Sequence, residues 1–398
     1  MSDTILRFVV MSDVHVKETK DCIELARLDK GMKAAYAYAD SCDYPGIDAI
    51  VVDGDFANGG REQEMLNFKE VFEANLRQGT QTLISVASHE YGSGIPETHE
   101  RMKRLFDMDP HMHLVVKGYH FISVSPEKGT YYGKAQQEYA FNELQKAFDD
   151  DPDKAIFFFQ HAHINSTVYG SYDWGEKELV PILMNYPQII DFSGHSHAPI
   201  NDPRNVHQKY FTCFGTGSLS YTELDEFDKY YGTVPPDCAE FAQYLIVEVA
   251  SDGAVTVKSY DIITGQFFPC DRVIRPPFTP DNFVYTDKRR VKSARPHFPE
   301  GTPLSVAVNG GDCDITFGQA VCEEEPVNDY LATVTRNADG KILRRTAAWS
   351  GYYRYNMPET VTVPVKALPK GDYTVSVVAR GFWDNESDNA LQARFTID

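Results

Sequence analysis

Residues 6–15 read LRFVVMSDVH, and this stretch decides the predicted fold of the N-terminal half of the chain. Its apolar part, Leu6–Met11, predicts a buried β-strand, and Asp13 and His15 follow that strand. Residues two apart just beyond a strand end can turn toward one point, and a carboxylate with an imidazole suits a divalent metal ion. Because Asp-x-His is by itself common in ordinary loops, the prediction depends on the side chains at the ends of the other strands.

Four further apolar runs end in side chains of the same kind. Each candidate comes at the carboxyl end of a predicted strand, where open α/β folds place their sites. The strands and their candidates are Ala49–Val52 with Asp55, Thr82–Ala87 with Ser88 and His89, Ala155–Gln160 with His161, and Ile189–Ser193 with His195 and His197. Five ordered clusters of metal-ligand type are improbable by chance, so the sequence predicts one site built from all five.

Two of these clusters contain a second candidate ligand. Asp53 lies beside Asp55, but only Asp55 follows the glycine that lets the backbone turn into a crevice, so Asp55 is the predicted ligand. His161 and His163 both come after a strand, and His161, which follows it directly, is the predicted ligand. In the last cluster, His-Ser-His places two imidazoles on one side of an extended segment, where they can hold two adjacent metals.

Strand-like and helical segments alternate up to about residue 265, which indicates a layered α/β domain. Helical apolar spacing is found in three segments: Cys22–Ala39, Glu62–Arg77 and Gln136–Phe148. The next stretch is rich in Pro and basic residues and is predicted to be a surface connector. The predicted domain organisation is a catalytic domain, a connector and a C-terminal domain, with the bounds 1–265, 266–300 and 301–398.

The pattern of residues 301–398 is purely β, with short alternating strands separated by Gly, Asn and Pro. Such spacing predicts an all-β sandwich. Residues 368–377 read LPKGDYTVSV, which resembles the region around the conserved tyrosine of fibronectin type III and immunoglobulin-like domains. We expect this domain to serve packing or oligomerisation of the protein.

Composition restricts the classes of partner. The formal net charge is −20, from 58 acidic and 38 basic residues. This charge disfavours duplex nucleic acid, whereas a small phosphorylated substrate is compatible with positive charge supplied locally by metal ions. The seven cysteines are scattered without a CxxC pair, which argues against a disulfide framework and a cysteine-based zinc site. The first apolar run is too short for a signal peptide or a membrane span, so we expect a cytoplasmic protein without a membrane partner.

In their order, the five clusters resemble the motifs of the calcineurin-like metallophosphoesterase family, which run Asp-x-His, Gly-Asp, Gly-Asn-His-Asp/Glu, His and Gly-His-x-His. The resemblance covers about Arg7 to Leu219. It implies a four-layer α/β sandwich, in which two mixed β-sheets are flanked by helices and the site lies at one edge. It also implies two divalent ions, of Mn, Fe, Zn or Co, and attack on phosphorus by a metal-bound hydroxide.

The resemblance gives each cluster a role. His89 is expected to contact the phosphoryl group and to assist departure of the leaving group. The remaining motif residues are expected to bind metal: Asp13, His15 and His197 the first ion, His161 and His195 the second, with Asp55 bridging both.

Two positions depart from related patterns. Ser88 stands where the family has an Asn whose carboxamide oxygen binds the second metal, and a hydroxyl is shorter and a weaker ligand. Ser88 is therefore a candidate ligand of a looser second metal. Asn58 stands where the purple acid phosphatase branch has its metal-binding Tyr, which disfavours that branch and makes Asn58 a candidate for substrate binding.

The sequence thus predicts a di-metal hydrolase that cleaves a phosphomonoester or phosphodiester of a small molecule, such as a nucleotide or a glycerophosphodiester. An alternative of a different class is a metal-containing binding or sensing module with a degenerate site. Ser88 and the appended domain are the two features that support this alternative. Metal content measured together with phosphoester turnover discriminates between the two hypotheses.

Overall fold

The predicted first strand is β1 (Thr4–Met11), and all of its residues from Leu6 onward are buried. The computed structural model describes residues 3–224, 234–235 and 237–398. The chain divides into two compact units, Met1–Thr286 and Asp287–Asp398. All seven cysteines lie within the described residues and are free thiols.

The described part of the N-terminal unit alternates strands and helices. Its remaining strands are β2 (Ala49–Asp53), β3 (Gln81–Ser85), β4 (His111–Val116), β5 (Tyr119–Val124), β6 (Ile156–Phe159), β7 (Ile189–Ser193), β8 (Val206–Gln208), β9 (Thr212–Gly215), β10 (Gln243–Ala250), β11 (Val255–Asp261), β12 (Gln266–Phe267) and β13 (Arg272–Ile274). Its α-helices are α1 (Ile23–Asp40), α2 (Glu62–Asn75), α3 (Ile95–Phe106), α4 (Lys134–Asp150), α5 (Ser171–Trp174) and α6 (Val180–Leu183). Short 3₁₀ turns cover Glu90–Ser93, Pro203–Asn205, Cys238–Glu240 and Pro280–Asn282.

These strands form two mixed sheets. The first has the order β12-β11-β10-β1-β2-β3, with β13 also paired to β11, and the second has the order β4-β5-β6-β7-β9-β8. In the first sheet β1, β2 and β3 are parallel, and in the second β5, β6, β7 and β9 are parallel. The carboxyl ends of the parallel strands in each sheet therefore meet at one edge of that sheet.

The two sheets pack face to face through an aromatic core. The ring of Phe8 on β1 contacts Phe121 and Phe157 edge-on, with ring centroids 4.8 and 4.7 Å apart. Burying a side chain of this size contributes about 1.5–3 kcal/mol. Helices α1, α2 and α3 cover the outer face of the first sheet, and α4 and α6 cover that of the second. The four-layer α/β sandwich implied by the sequence is confirmed.

Helix α1 shows how the sequence pattern produces these layers. Its buried side chains recur three or four residues apart and form one apolar stripe that faces the sheet. The stripe consists of Leu25, Leu28, Met32, Ala35 and Ala39. The predicted helix Cys22–Ala39 differs from the observed one by a single residue at each end.

The C-terminal unit is all β, as predicted, apart from the single-turn helix α7 (Arg289–Lys292). Its antiparallel sheets have the orders β14-β15-β18 and β17-β16-β19-β20. Tyr373 is fully buried, and its hydroxyl donates a hydrogen bond to the carbonyl of Pro369 at 2.7 Å. This corner is the feature that the sequence LPKGDYTVSV predicted. The strands are β14 (Leu304–Asn309), β15 (Asp312–Gly318), β16 (Asp329–Arg336), β17 (Ile342–Trp349), β18 (Thr360–Val365), β19 (Gly371–Arg380) and β20 (Leu391–Ile397).

Some elements have no clear sequence pattern and were not predicted. Helix α3 buries only Thr98 and Met102, too few apolar side chains to show helical spacing. Strand β4 is half-exposed along most of its length. Its sequence shows no clear alternation of apolar and polar residues. Strands β12 and β13 lie within the predicted connector 266–300 and pair with β11. The functional domain bounds derived from the sequence stay a prediction.

Candidate metal centre

The loops that follow β1, β2, β3, β6 and β7 converge on one site. Because these strands are parallel within each sheet, the side chains that come after them lie at one edge of each sheet. The contacts described below join the two edges. Seven of the predicted site residues form three overlapping groups, and within each group the potential ligand atoms lie within 4.8 Å of one another. The groups are Asp13, His15 and His197; His15, Asp55 and His89; and Asp55, His161 and His195.

The backbone at the candidate ligands has an uncommon conformation. Positive φ angles between 50° and 69° occur at Asp13, His15, Asp55, His195 and His197. Left-handed backbone costs roughly 1–2 kcal/mol per non-glycine residue and is concentrated at functional sites. These sharp turns let residues i and i+2 of one loop direct their side chains into the same space.

Two glycines allow the loops to approach each other this closely. A Cβ atom on Gly54 would lie 2.8 Å from Nδ1 of His161, and one on Gly194 would lie 2.6 Å from Oδ2 of Asp13. Neither side-chain atom can retreat without leaving the site. The Gly-Asp and Gly-His motifs therefore contain glycine because the neighbouring ligand occupies the place of a side chain.

Asp13, His15 and His197 form the first candidate metal group. Nε2 of His197 lies 3.1 Å from Nε2 of His15 and 3.2 Å from Oδ1 of Asp13. Oδ2 of Asp13 accepts hydrogen bonds from the Ser12 hydroxyl at 2.5 Å and from the His195 amide at 3.1 Å. Oδ1 is buried and accepts no hydrogen bond within the described chain. One carboxylate oxygen is thus held in place while the other faces the two imidazoles.

Asp55, His161 and His195 form the second candidate group. Oδ2 of Asp55 lies 2.9 Å from Nε2 of His161, and Oδ1 accepts a hydrogen bond from the His89 amide at 2.9 Å. Nε2 of His195 is buried and has no hydrogen-bond partner among the described residues. Asp55 also forms a group with His15 and His89, so its carboxylate lies between the two candidate metal groups, and its bridging role stays a prediction.

Backbone carbonyls orient two of the imidazoles. Nδ1 of His161 donates to the carbonyl of Asp53 at 2.6 Å, and Nδ1 of His197 donates to the carbonyl of Tyr221 at 3.0 Å. A carbonyl oxygen only accepts, so both Nδ1 atoms carry a hydrogen. The opposite atom, Nε2, then faces the site with a lone pair whenever the ring is neutral, which is the arrangement usual for metal-binding histidine.

The electrostatics of the site also favour metal-binding protonation states. Burial opposes ionisation of Asp13 and Asp55, but the imidazoles beside them outweigh it and hold the pKa of each carboxyl below its ordinary value. Burial, assisted by His197, lowers the pKa of His15 to about 3, and burial with His161 lowers the pKa of His195 to about 4. The carboxylates are therefore ionised and these two imidazoles neutral at neutral pH, as metal ligation requires.

His161 and His197 differ from these two imidazoles. Burial lowers the pKa of each ring, but the carboxylates of Asp55 and Asp13 raise the pKa of His161 well above the ordinary value, and the carboxylate of Asp13 raises the pKa of His197. Without a metal, the His161 ring is an imidazolium between an Asp55 oxygen and a backbone carbonyl. The buried unpartnered atoms of Asp13 and His195, together with this mixed Asp/His donor set, fit a pair of divalent cations.

The sequence model of calcineurin-like phosphoesterases matches residues 6–199, which contain all of these candidate ligands. These residues form a calcineurin-like phosphoesterase domain. The Asp and His groups within these residues fit the binuclear metal centre that the family implies. No curated protein sequence matches the chain significantly.

Solved structures similar to this phosphoesterase are distant in sequence. One is the purple acid phosphatase PPD1 from yellow lupin (Lupinus luteus) seeds, with 14% identity and a TM-score of 0.48, covering 69% of this chain and 54% of the other. The chain thus spans about half the length of that neighbour. The fibronectin-type structure FN3tt has 13% identity and a TM-score of 0.18, and covers 26% of this chain and 95% of its own.

Of the three residues predicted to handle substrate or the second metal, Ser88 and His89 lie beside Asp55, and Asn58 contacts His89. Nδ1 of His89 donates to the carbonyl of Asn58 at 2.7 Å, and the rings of His89 and His15 are 4.5 Å apart. The hydroxyl of Ser88 donates to Oδ2 of Asp55 at 3.3 Å. Asn58 is exposed, and its hydrogen bond with His89 is made through its backbone. The roles of these residues in ligation and substrate binding stay predictions.

Glu90 is a positioning residue for which the sequence predicted no role. Its carboxyl accepts hydrogen bonds from the amides of Asp55, Ala87 and Ala57 at 3.0, 2.9 and 2.7 Å. It thereby ties the loop after β2 to the loop after β3. Burial and the nearby Asp55 raise the pKa of Glu90 to about 8. The sequence signal that could have identified Glu90 is its place directly after His89, where the family motif has an acidic residue.

Two aromatic side chains frame the metal groups. Trp174 lies edge-on to His195 with ring centroids 5.4 Å apart, and it remains 42% exposed. On the other side, the ring of Tyr221 lies 4.2 Å from that of His197 and 6.0 Å from that of His15. The sequence did not predict the direction of either ring, since it depends on tertiary packing.

The second candidates of the two ambiguous clusters lie outside the three groups. His163 is fully buried, and its Nδ1 contacts the hydroxyl of Ser193 at 2.8 Å. Asp53 is buried too, and burial raises its pKa to about 7. Within the described residues, neither of them shares a ligand group with the predicted metal residues. The choice of His161 and Asp55 as ligands stays a prediction.

Glu176 gives the N-terminal unit a pH-dependent stability. The residue is 2% exposed, one oxygen accepts from the Leu179 amide at 2.9 Å, and burial raises its pKa to about 8. Between the ordinary carboxyl pKa and about 8, the folded chain keeps this proton while the unfolded chain releases it. Rising pH in this window therefore favours unfolding.

We expect Glu176→Gln to raise the melting temperature by about 5 °C at pH 8.5 and to change it little at pH 4.5. The reason is that the amide keeps the acceptor for Leu179 but has no proton to lose. Thermal unfolding at the two pH values measures the effect. Glu138→Gln, at a site on the surface of α4, is the control. Equal shifts at both pH values would contradict the assignment.

Proposed function

We propose that the N-terminal unit hydrolyses a phosphomonoester or phosphodiester of a small molecule, such as a nucleotide or a glycerophosphodiester, using two divalent metal ions. The observation that carries this proposal is the set of three overlapping Asp/His groups, in which Asp55 is grouped with His15 on one side and with His161 and His195 on the other. The first ion would bind Asp13, His15 and His197, and the second would bind His161 and His195, with Ser88 as a further candidate.

The metals and the protein would divide the chemistry between them. When bound, two cations supply the positive charge that stabilises the phosphoryl group as charge develops on its oxygens, and they activate the attacking water. The protein fixes the geometry: Glu90 and two glycines hold the loops, and backbone carbonyls hold His161 and His197. His89, whose Nδ1 is fixed by the Asn58 carbonyl, keeps Nε2 to hold a proton for the leaving oxygen.

Two observations support a small substrate. The net charge of −20 disfavours a long polyanion, because attraction to phosphate would be confined to the metal centre. The partly exposed ring of Trp174 beside His195 supports a planar group, such as a nucleobase, next to the second metal.

Hydrolysis of 4-nitrophenyl phosphate and bis(4-nitrophenyl) phosphate by the protein loaded with Mn, Zn, Fe or Co tests the proposal. We expect two metals per chain by elemental analysis and turnover of at least one of the two esters. The ratio of the two rates assigns the protein as a monoesterase or a diesterase. Two bound metals without turnover of any ester in a broad panel would favour the alternative, a metal-containing sensing module.

Ser88→Asn tests whether the hydroxyl weakens the second metal position. An asparagine carboxamide is longer and is a better ligand than a hydroxyl, and position 88 already lies beside Oδ2 of Asp55. We expect the weaker of two Mn²⁺ dissociation constants to fall about tenfold, within the range of changes that residues around a metal cause. Isothermal titration of metal-free protein measures it.

Ser88→Ala is the matched control, because it removes the hydroxyl without adding a ligand. We expect it to leave the weaker Mn²⁺ constant unchanged or to raise it. If Ser88→Asn and Ser88→Ala bind Mn²⁺ alike, residue 88 takes no part in the second metal position.

No helix in the described ranges has the length and apolar character needed to span a membrane. The cytoplasmic location and the oligomerisation through residues 301–398 stay predictions from the sequence.

A further inference from the structure

A cavity of about 260 Å³ lies in the N-terminal unit, and none of the candidate metal ligands lines it. Its floor includes the buried side chains of Ile164, Phe211 and Cys213, and the half-buried Val180 of α6 forms part of the wall. Pockets for drug-sized ligands usually measure roughly 300–1,000 Å³. This cavity is therefore suited to a smaller molecule with an apolar body.

Two lysines give the cavity a positive rim. Lys177 and Lys209 are both exposed and line it, and within the described residues neither ammonium group has an ion pair. Some exposed lysines elsewhere pair with carboxylates, as Lys33 does with Asp29 at 2.8 Å, whereas the Lys209 ammonium lies 5.3 Å from the centroid of the Tyr210 ring. Two ammonium groups without a carboxylate partner beside an apolar floor favour an anionic ligand.

One loop borders both this cavity and the metal centre. Ile164 follows His163, whose carbonyl accepts from the Glu176 amide at 2.7 Å, and the Asn165 amide donates to the Glu176 carbonyl at 2.9 Å. The two ends of the intervening loop are thus joined. That loop carries Trp174, which contacts His195. A molecule in the cavity would contact the same loop that lines the metal centre.

We propose that this cavity binds a small amphipathic organic anion, with an apolar ring or branched chain on the floor and an acidic group between Lys177 and Lys209. The acidic group is a carboxylate or a sulfonate, since either accepts hydrogen bonds from two ammonium groups. This site is separate from the metal centre, so the proposal does not depend on the esterase reaction.

Isothermal titration of the metal-loaded protein with benzenesulfonate tests the proposal, and benzenesulfonamide serves as the neutral ligand of nearly equal shape. We expect saturable binding of one benzenesulfonate per chain and at least about tenfold weaker binding of the sulfonamide, since two ion pairs are lost. Titration with benzoate shows whether a carboxylate is accepted as well. Absence of saturable binding by both anions overturns the proposal.

Variants locate the bound anion. Lys177→Met with Lys209→Met should weaken benzenesulfonate binding about tenfold, whereas Lys128→Met with Lys134→Met, at exposed positions outside the cavity lining, should not. Val180→Phe fills the cavity while keeping both lysines, and it should abolish the binding of benzenesulfonate. Melting temperatures confirm that each variant is folded. Unchanged affinity in the Lys177/Lys209 variant would place the anion elsewhere, at the metal centre for example, and would refute the proposed site.

Discussion

Asp55→Asn is expected to reduce phosphoester hydrolysis on the order of 1,000-fold or more, because it removes the carboxylate that is grouped with His15 on one side and with His161 and His195 on the other. The Asp55 side chain contacts His161 Nε2 at 2.9 Å and accepts the His89 amide at 2.9 Å. An amide at this position offers one oxygen instead of two and places N–H groups against a cation. Elemental analysis should show at most one tightly bound metal per chain.

Asp53→Asn is the matched control, two residues away in the same buried turn. Asp53 lies outside the ligand groups, and its Oδ1 accepts from the Ser85 hydroxyl at 3.0 Å, which an amide oxygen can also do. We expect this variant to keep two metals and most of its activity. If Asp55→Asn retained both metals and the wild-type rate, the bridging role of Asp55 would be wrong.

His89→Gln is expected to reduce kcat by about 100- to 1,000-fold for esters with alkyl leaving groups, which need a proton as they depart. His89 is not among the predicted metal ligands, and its ring is held by the Asn58 carbonyl at 2.7 Å. Metal content should therefore stay at the wild-type value. For 4-nitrophenyl esters, whose leaving group is stable as an anion, the loss should be much smaller.

The dependence on leaving group separates a proton donor from a residue that only binds phosphate. A plot of log kcat against the pKa of the leaving group, measured over a series of phenyl and alkyl esters, should be steeper for His89→Gln than for the wild type. Equal slopes with a uniform loss of rate would assign His89 to phosphoryl binding alone.

The sequence predicted the main layers and the gathering of the candidate site because both arise from local patterns. Parallel strands that end in Asp or His bring those side chains to one edge of their own sheet. The packing of the two sheets then brings together Asp13 after β1 and His197 after β7, which are 184 positions apart in the chain. The choice of Asp55 over Asp53 also came from a local feature, the preceding glycine. In the C-terminal unit, the pattern around Tyr373 predicted its buried corner for the same reason.

Features that depend on tertiary packing were not predicted from the sequence. Glu90 acts through backbone amides of two other loops, and a sequence does not show which amides lack partners. Trp174 belongs to a single-turn helix whose direction is set by contacts of the loop around it. The rim of Lys177 and Lys209 joins residues from separate loops that share no motif. Each of these features depends on which surfaces face one another.

The left-handed backbone at five residues of the metal centre has a consequence for the stability of the metal-free protein. Their backbone geometry costs several kcal/mol in total by the usual value of roughly 1–2 kcal/mol per residue. Ions that bind only the folded chain raise its free energy of unfolding, and the gain grows with the logarithm of their concentration. We therefore expect a chain made when metal is scarce to open more often and to be degraded sooner than the metal-bound chain.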